Sequence, residues 1–167
     1  MRVFGLAGWS GSGKTSLLVK LIPELSGRGL RVSTVKHAHH GFDVDQPGKD
    51  SWEHRRAGAY EVMVSSARRW ALMHENAAAP EPPLAELLQH MTAVDLVLVE
   101  GFRHHPHPKL EVHRPSLGKP LLCGADPDVV AVASDDALTG LAVTVLPLAD
   151  IAGIADFIIK HDRSPIP

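Results

Sequence analysis

A glycine-rich segment near the amino terminus constrains the fold of this chain more than any other feature. Residues 8–15 read Gly-Trp-Ser-Gly-Ser-Gly-Lys-Thr and fit the pattern G-x-x-x-x-G-K-[ST]. The apolar run from Val3 to Ala7 before this glycine-rich loop is typical of a buried strand, and leucines at helical spacing follow it. A strand, a glycine-rich loop and a helix in this order predict a site that binds phosphate groups.

The residue types of the glycine-rich loop match the chemistry of a bound triphosphate. Gly8 and Gly13 permit a tight backbone in which amide N–H groups converge on phosphate oxygens. The Lys14 ammonium can then reach the β- and γ-phosphates, and the Thr15 hydroxyl can bind Mg²⁺. We therefore expect nucleotide contacts from Gly8, Ser10, Gly11, Ser12, Gly13, Lys14, Thr15 and Ser16.

Length and composition indicate one domain in a reducing compartment. The 167 residues suffice for a single core, and we predict one nucleotide-binding domain over 1–167 with a frayed tail over 161–167. A formal net charge of −2 gives no indication of a nucleic-acid partner. Cys123 is the only cysteine, and neither a signal peptide nor an 18-residue apolar span is visible. These features lead us to expect a cytoplasmic protein without membrane contact.

The most polar connection of the chain, residues 36–51, follows the second predicted strand, where a doubly wound sheet has its ligand crevice. One interpretation is a solvated connection that leads into a helix capped by Asp50, with Glu53 three residues later as a capping box requires. A second is a transition-metal site, although the spacing of its candidate ligands is unlike that of zinc sites. Those candidates are His37, His39, His40, Asp43 and Asp45.

The third interpretation of residues 36–51, which we favour, is a loop that faces the nucleotide. In it, Asp45 or Asp50 holds Mg²⁺ through water, and Lys49 faces an anionic ligand. Asp50 is thereby both a metal-binding and a catalytic candidate. A helix cap and a ligand role are compatible, because one carboxylate can serve both.

A carboxylate at the end of an apolar strand supplies the other half of the predicted site. Residues 95–101 read Asp-Leu-Val-Leu-Val-Glu-Gly, a run that suits a parallel strand covered on both faces. Glu100 stands where this strand leaves the sheet, in the Walker B arrangement that brings an acidic group to Mg²⁺ or to the attacking water. We choose Glu100 as the catalytic and metal-binding carboxylate, because Asp95 lies at the opposite end. The alternative is a strand-end carboxylate at the surface.

The whole pattern predicts an α/β fold of P-loop NTPase-like, doubly wound type: a mainly parallel sheet with helices on both faces and an antiparallel hairpin or edge. Residues 61–66 and 70–74 are strands too close together for a parallel crossover, so we expect an antiparallel pair at one side of the sheet. The His/Pro-rich stretch 102–109 is expected to be an exposed loop. Further elements are predicted as helices at 84–91 and 150–160 and strands at 110–113, 129–133 and 143–146.

Five segments together resemble the adaptor family of molybdopterin guanine dinucleotide biosynthesis, MobB. The resemblance implies a GTP-binding P-loop protein that is usually a homodimer and is at most a feeble GTPase. It also implies a partner, the guanylyltransferase that converts molybdopterin to its guanine dinucleotide form. The His/Pro-rich loop after Phe102 and the proline-rich linker near Pro80 depart from the family pattern. The segments are 9–15, 36–58, 69–72, 98–102 and 130–135.

The residues themselves favour nucleotide binding over rapid hydrolysis. Fast GTPases use a water-positioning glutamine and an arginine finger, and neither Gln46 nor Gln89 follows the strand of Glu100. We expect turnover on the order of 10⁻² s⁻¹ or slower. The chain has no N-K-x-D sequence, so guanine selectivity depends on the resemblance. Ser134 and Asp135, after a late strand, are where we expect a base-reading carboxylate, with Asp135 as its source.

Two other functions stay open from the sequence. An ATP-dependent small-molecule kinase would use arginines to clamp the transferred phosphate, and its candidates are Arg55, Arg56, Arg68 and Arg69. A non-hydrolysing carrier would instead hold molybdopterin or its guanine dinucleotide through Lys14, Lys49 and the Arg55–Arg56 pair. A homodimer could form where an exposed antiparallel edge near Trp70 or Leu110 pairs with a second copy.

Overall fold

The computed structural model describes residues 1–38 and 41–161 of the chain. In chain order the elements are β1 (Arg2–Ala7), α1 (Lys14–Gly27), β2 (Val32–Lys36), α2 (Asp50–Arg56), β3 (Glu61–Ser65), β4 (Trp70–His74), α3 (Leu84–Gln89), β5 (Leu96–Glu100), β6 (Lys109–His113), a 3₁₀ turn (Pro115–Leu117), β7 (Val129–Ser134), β8 (Thr144–Pro147) and α4 (Ile151–Lys160). Among the described residues, no helix is both long enough and apolar enough to span a membrane.

The chain divides into two compact units, one of residues 1–37 with 84–167 and one of residues 38–83. The prediction of a single domain over 1–167 stays a prediction. The ring of His161, the first residue of the predicted frayed tail, stacks on Phe157 after the end of α4. The rest of that tail, 162–167, and the metal candidates His39 and His40 lie outside the described residues.

The first unit contains a six-stranded sheet in the order β2-β5-β1-β6-β7-β8. Every neighbouring pair is parallel, so all six carboxyl ends lie at one edge. After β1 the chain first builds the β2 side and later crosses to β6 on the other side. The topological switch point therefore lies at the end of β1, where doubly wound sheets bind ligands. This confirms the predicted fold class.

Helices cover both faces of this sheet because alternate strand residues point to opposite sides. On one face, α1 and α4 bury leucines and isoleucines against even-numbered residues of β1 and β5 and the matching positions of β6 and β7. On the other face, α3 packs Leu84 and Leu88 against Val3, Val97 and Val99. Each fully buried leucine contributes about 1.5–3 kcal/mol of transfer free energy, so the apolar strand runs hold the switch point in place.

Strand β6 and the residues just before it correct two predictions. It lies between β1 and β7, and Leu110 is fully buried, so the predicted exposed edge near Leu110 is wrong. Likewise His107, in the stretch expected to be an exposed loop, is only 2% exposed. The chain after β6 covers the polar side of this strand: Lys109 pairs with Asp126 at 3.2 Å, and amide groups at 122–123 donate to the buried Glu111 carboxylate. His107 lies against Gly5, where an added Cβ would come within 2.5 Å of the His107 Nε2 atom.

The second unit consists of α2 and the antiparallel hairpin of β3 and β4. The hairpin is confirmed, but it forms a two-stranded sheet of its own and does not extend the parallel sheet. The predicted cap at Asp50 is wrong, because Lys49 is the N-cap residue of α2 and no side chain caps this end. Asp50 is instead the first helical residue, where a carboxylate still complements the positive end of the helix. Gly58, with φ +100°, follows α2 as predicted.

Candidate functional site

The glycine-rich loop crosses from β1 to α1 at the switch point. Gly8 has φ +140°, and a Cβ there would lie 2.5 Å from the Val112 carbonyl oxygen and 2.7 Å from Ser12 Oγ. Only glycine fits, because strand β6 lies directly beside the end of β1. The sequence pattern therefore has a steric cause at its first position.

The second half of the loop presents the start of α1. Gly11 and Gly13 have φ of +80° and +99°, and Gly13 is the N-cap residue of the helix. The first amide groups of a helix lack intrahelical acceptors, so they can bind an anion here. Ser12 Oγ is buried and has no hydrogen-bond partner within the described chain. Ser10 and Ser16 are exposed on either side, in the loop and the first turn of α1.

The Lys14 side chain lies across its own loop. Its ammonium donates to the carbonyl oxygens of Gly8 at 2.8 Å and Trp9 at 3.1 Å. Burial lowers the pKa of Lys14; Glu100 opposes this shift, and the nearby Lys36 adds to it. A phosphate group in the loop would supply the negative charge that this half-buried ammonium lacks, so Lys14 suits an anionic ligand.

Thr15 and Glu100 meet at the same edge of the sheet. The Thr15 hydroxyl lies 3.2 Å from each carboxylate oxygen of Glu100 and can donate to either. The parallel register that pairs Leu6 with Glu100 causes this meeting, because it ends β1 and β5 side by side. A hydroxyl and a carboxylate are oxygen ligands of the kind that Mg²⁺ takes in proteins, so these residues fit the predicted metal.

The backbone after Glu100 is held tightly. Gly101 has φ +99°, and a Cβ on it would lie 2.5 Å from the Cβ of His37. Phe102 has φ +46°, a conformation that costs about 1–3 kcal/mol in a residue other than glycine. Its ring stacks on His37 at a centroid distance of 4.7 Å, while the His37 amide donates to the Glu100 carbonyl at 2.8 Å. These contacts fix the position from which the Glu100 side chain extends.

Arg114, which the sequence reasoning missed, also contacts the glycine-rich loop. Its Nε donates to the Ser12 carbonyl oxygen at 3.0 Å, and its guanidinium forms an ion pair with Asp135. The sequence carried one indication of this role: Arg114 directly follows a predicted strand, and the carboxyl ends of parallel strands share one edge. Asp135 is thus connected to the glycine-rich loop through this arginine.

The other predicted residues belong to the second unit. Asp45 has a side chain only 3% exposed, and its carboxylate accepts from Arg55 at 2.9 Å. Arg55 also pairs with Asp43 at 2.7 Å and lies 3.6 Å from Glu75. The hydrogen bond to Asp45 is the largest cause of a raised pKa of Arg55.

Within the described residues, no group of three or more histidine, cysteine or acidic side chains is arranged to hold a metal ion. Lys49 and Asp50 are exposed. The roles of Asp45 and Asp50 toward Mg²⁺ and of Lys49 toward an anion stay predictions.

Comparison with known proteins identifies close relatives. The family model of molybdopterin guanine dinucleotide synthesis protein B matches residues 3–135. The molybdopterin-guanine dinucleotide biosynthesis adapter protein of Escherichia coli is 46% identical over 95% of this chain and 91% of its own length. The Haemophilus influenzae protein of the same name is 46% identical over 93% of this chain and 86% of its own length.

Solved structures give the same result. A crystal structure of molybdopterin-guanine biosynthesis protein B superposes with a TM-score of 0.73 at 25% identity, covering 95% of this chain and 98% of that one. A MobB homolog from Bacillus stearothermophilus superposes with a TM-score of 0.68 at 27% identity. The match covers 96% of this chain and 97% of that one.

Proposed function

The chain belongs to the molybdopterin guanine dinucleotide synthesis protein B family, and on this premise we propose that it is a GTP-binding adapter in the biosynthesis of the molybdopterin guanine dinucleotide cofactor. The observation that carries this proposal is the meeting of Thr15 and Glu100 beside the glycine-rich loop. The names of the two 46% identical relatives support the pathway and the adapter role.

In the proposed complex, the amide groups of the glycine-rich loop hold the phosphates of GTP. Lys14 leaves the carbonyl groups of Gly8 and Trp9 and pairs with phosphate oxygens, which are stronger acceptors for an ammonium. The Thr15 hydroxyl and the Glu100 carboxylate would hold Mg²⁺, which would offset the charge of the phosphates. The chain thus binds and orients a nucleotide with its own residues.

The chemical step belongs to a partner guanylyltransferase. Gln89 is the last residue of α3, and Gln46 lies in the second unit, so neither follows β5 in the way a water-positioning glutamine would. We therefore propose at most slow, Mg²⁺-dependent GTP hydrolysis. The kinase alternative is less well supported, because Arg55, one of its phosphate clamps, is already paired with carboxylates.

We also propose that the adapter acts as a homodimer through its hairpin. By register, Met63 lies opposite Leu72, and Trp70 lies on the same face, two residues from Leu72. All three side chains are exposed. A second copy that covers this apolar face would remove it from water and pair an otherwise open strand edge. We expect this assembly in the cytoplasm.

The proposal is tested by reconstitution. Purified molybdopterin guanylyltransferase is supplied with molybdopterin and GTP–Mg²⁺, and formation of the guanine dinucleotide is followed with and without this chain. We expect added wild-type chain to raise the yield and Thr15→Ala to remove most of the gain. Thr34→Ala, which changes an exposed threonine of β2, is the matched control. A wild-type chain without effect, or equal gains from wild type and Thr15→Ala, would refute the proposal.

A further inference from the structure

Arg114 lies at the carboxyl edge of the parallel sheet. It is the first residue after β6, which runs parallel to β1 with Ala7 opposite Glu111. The chain leaving β6 therefore passes beside the glycine-rich loop that leaves β1. On the other side of β6 lies β7, whose end delivers Asp135. Arg114 thus stands between the phosphate side of the site and the next strand end.

The guanidinium contacts both neighbours at once. Nε donates to the Ser12 carbonyl oxygen at 3.0 Å, and one terminal nitrogen, Nη1, binds a carboxylate oxygen of Asp135. The other terminal nitrogen, Nη2, lies 3.5 Å from the point where a Cβ on Gly13 would stand. Because the guanidinium is planar and rigid, fixing these atoms fixes the loop and the carboxylate relative to each other.

The distance between the carboxyl ends of β1 and β7 matches the length of a nucleoside. Neighbouring strands lie about 4.8 Å apart, so β7 lies roughly 10 Å from β1, two strand spacings away. A nucleotide spans a distance of this order, with its phosphates at the loop and its base beside Asp135. Arg114 and Asp135 have side chains 37% and 36% exposed, so a ligand can reach both.

We propose that Arg114 is a positioning residue that couples the glycine-rich loop to Asp135 as the carboxylate that reads the base. The proposal rests on the proposed GTP binding and deepens it. Guanine offers ring and amino N–H donors to a carboxylate, whereas adenine offers an acceptor nitrogen at the equivalent ring position. Arg114 binds only one Asp135 oxygen, so the second oxygen can accept from guanine.

This coupling and simple support of the loop predict different effects on nucleotide affinity. A residue that only supports the loop affects all triphosphates equally, because they share the phosphate contacts. A residue that also orients Asp135 affects the ratio of GTP to ATP affinity. A double-mutant cycle then shows non-additive losses, because either substitution alone breaks the same link.

The test measures dissociation constants for GTP, ATP and inorganic tripolyphosphate, each with Mg²⁺, by calorimetric titration. The variants are Arg114→Ala, Arg114→Lys, Asp135→Asn and the double variant of Arg114→Ala with Asp135→Asn. Arg31→Ala is the matched control, because that arginine is exposed at the opposite edge of the sheet. Circular dichroism checks folding, and Asp135→Asn keeps the test valid if Arg114→Ala does not fold.

We expect the wild type to prefer GTP over ATP by roughly 10- to 100-fold, the effect of a hydrogen bond to a charged group. Each single variant should lose most of this preference, the double variant should lose no more, and Asp135→Asn should keep its affinity for tripolyphosphate. A wild-type preference that survives in Arg114→Ala, or a wild type that binds GTP and ATP equally, overturns the coupling alone. A wild type that binds none of the three ligands refutes the proposed function itself.

Discussion

The Thr15 hydroxyl and the Glu100 carboxylate lie close enough to share a hydrogen bond, and both are oxygen groups that would support a divalent cation. Glu100 brings a negative charge next to the expected phosphates, so without a cation it opposes nucleotide binding. The same carboxylate becomes favourable once Mg²⁺ is present. The Glu100 carboxylate should therefore weaken nucleotide binding without the metal and strengthen it with the metal.

Replacing Glu100 with glutamine removes the charge and keeps the shape. We expect the Mg²⁺ dependence of GTP affinity to fall by roughly 10- to 100-fold, the usual effect of losing a group that supports a metal. Affinity without Mg²⁺ should stay equal or rise. Calorimetric titration with Mg²⁺ and with a chelator measures both values. Asp95→Asn, at the other end of the same apolar run, should retain the full dependence, and an unchanged dependence in Glu100→Gln would contradict the assignment.

His107 is a buried base whose titration should be visible in stability. Burial, followed by the nearby Lys109 ammonium and the charge of His105, lowers the pKa of His107 to about 4, while a backbone hydrogen bond with His105 and the Asp128 carboxylate oppose the shift. The unfolded chain binds this proton at a pKa near 6.5, so between pH 6.5 and 4 it carries more protons than the folded chain. Stability must therefore fall as the pH falls through this window.

From pH 7 to pH 5, this one group should remove about 2 kcal/mol from the free energy of unfolding. Urea unfolding at the two pH values measures the loss. His107→Gln cannot titrate and should show a loss smaller by that amount, whereas His90→Gln, at an exposed position, should behave as the wild type. Equal losses in the wild type and in His107→Gln would show that burial does not hold His107 neutral.

At the scale of elements, local patterns predicted the types of most helices and strands, because each pattern reports on its own few residues. The runs of β1 and β5 are apolar since both of their faces are covered, and the glycine pattern has its steric cause at Gly8. Strand β6 was harder to interpret. Its alternation of polar and apolar residues suggested a half-exposed edge, but Lys109 and Glu111 find partners 11 to 17 residues later in the chain. Periodicity contains no information about such pairing.

The same limit explains what was missed or misplaced in the candidate site. The meeting of Thr15 and Glu100 could be predicted, because parallel strands place their carboxyl ends together. Arg114 could not be assigned, since its role depends on which strand lies between β1 and β7. The cap at Asp50 satisfied a local pattern, yet the N-cap position belongs to Lys49, one residue earlier.

At the scale of the whole molecule, the second unit carries several exposed apolar side chains on its hairpin. A two-stranded hairpin is marginal by itself in water; α2 packs against β3, and Val62 is the buried residue of this hairpin. The proposed dimer would bury the exposed face with Met63, Trp70 and Leu72. The dimer and the hairpin would stabilise each other.

Leu72→Asp places a charge in the middle of this face and should convert a dimer into monomers. Light scattering at micromolar concentration measures the mass. Val19→Asp is the matched control, because Val19 is an exposed apolar residue of α1 in the first unit, and this variant should stay dimeric. A monomeric wild type, or a Leu72→Asp variant that is still dimeric, would argue against the hairpin interface.

The most direct test of the whole interpretation is the binding of GTP–Mg²⁺ to wild type, Lys14→Ala and Lys20→Ala, followed by calorimetric titration. Lys20 is an exposed lysine of the same helix and serves as the control. If the glycine-rich loop binds a triphosphate, Lys14→Ala should weaken binding by about 100-fold or more, because it removes charged hydrogen bonds to phosphate. Lys20→Ala should bind GTP–Mg²⁺ as tightly as the wild type. Undiminished binding by a folded Lys14→Ala variant would contradict it.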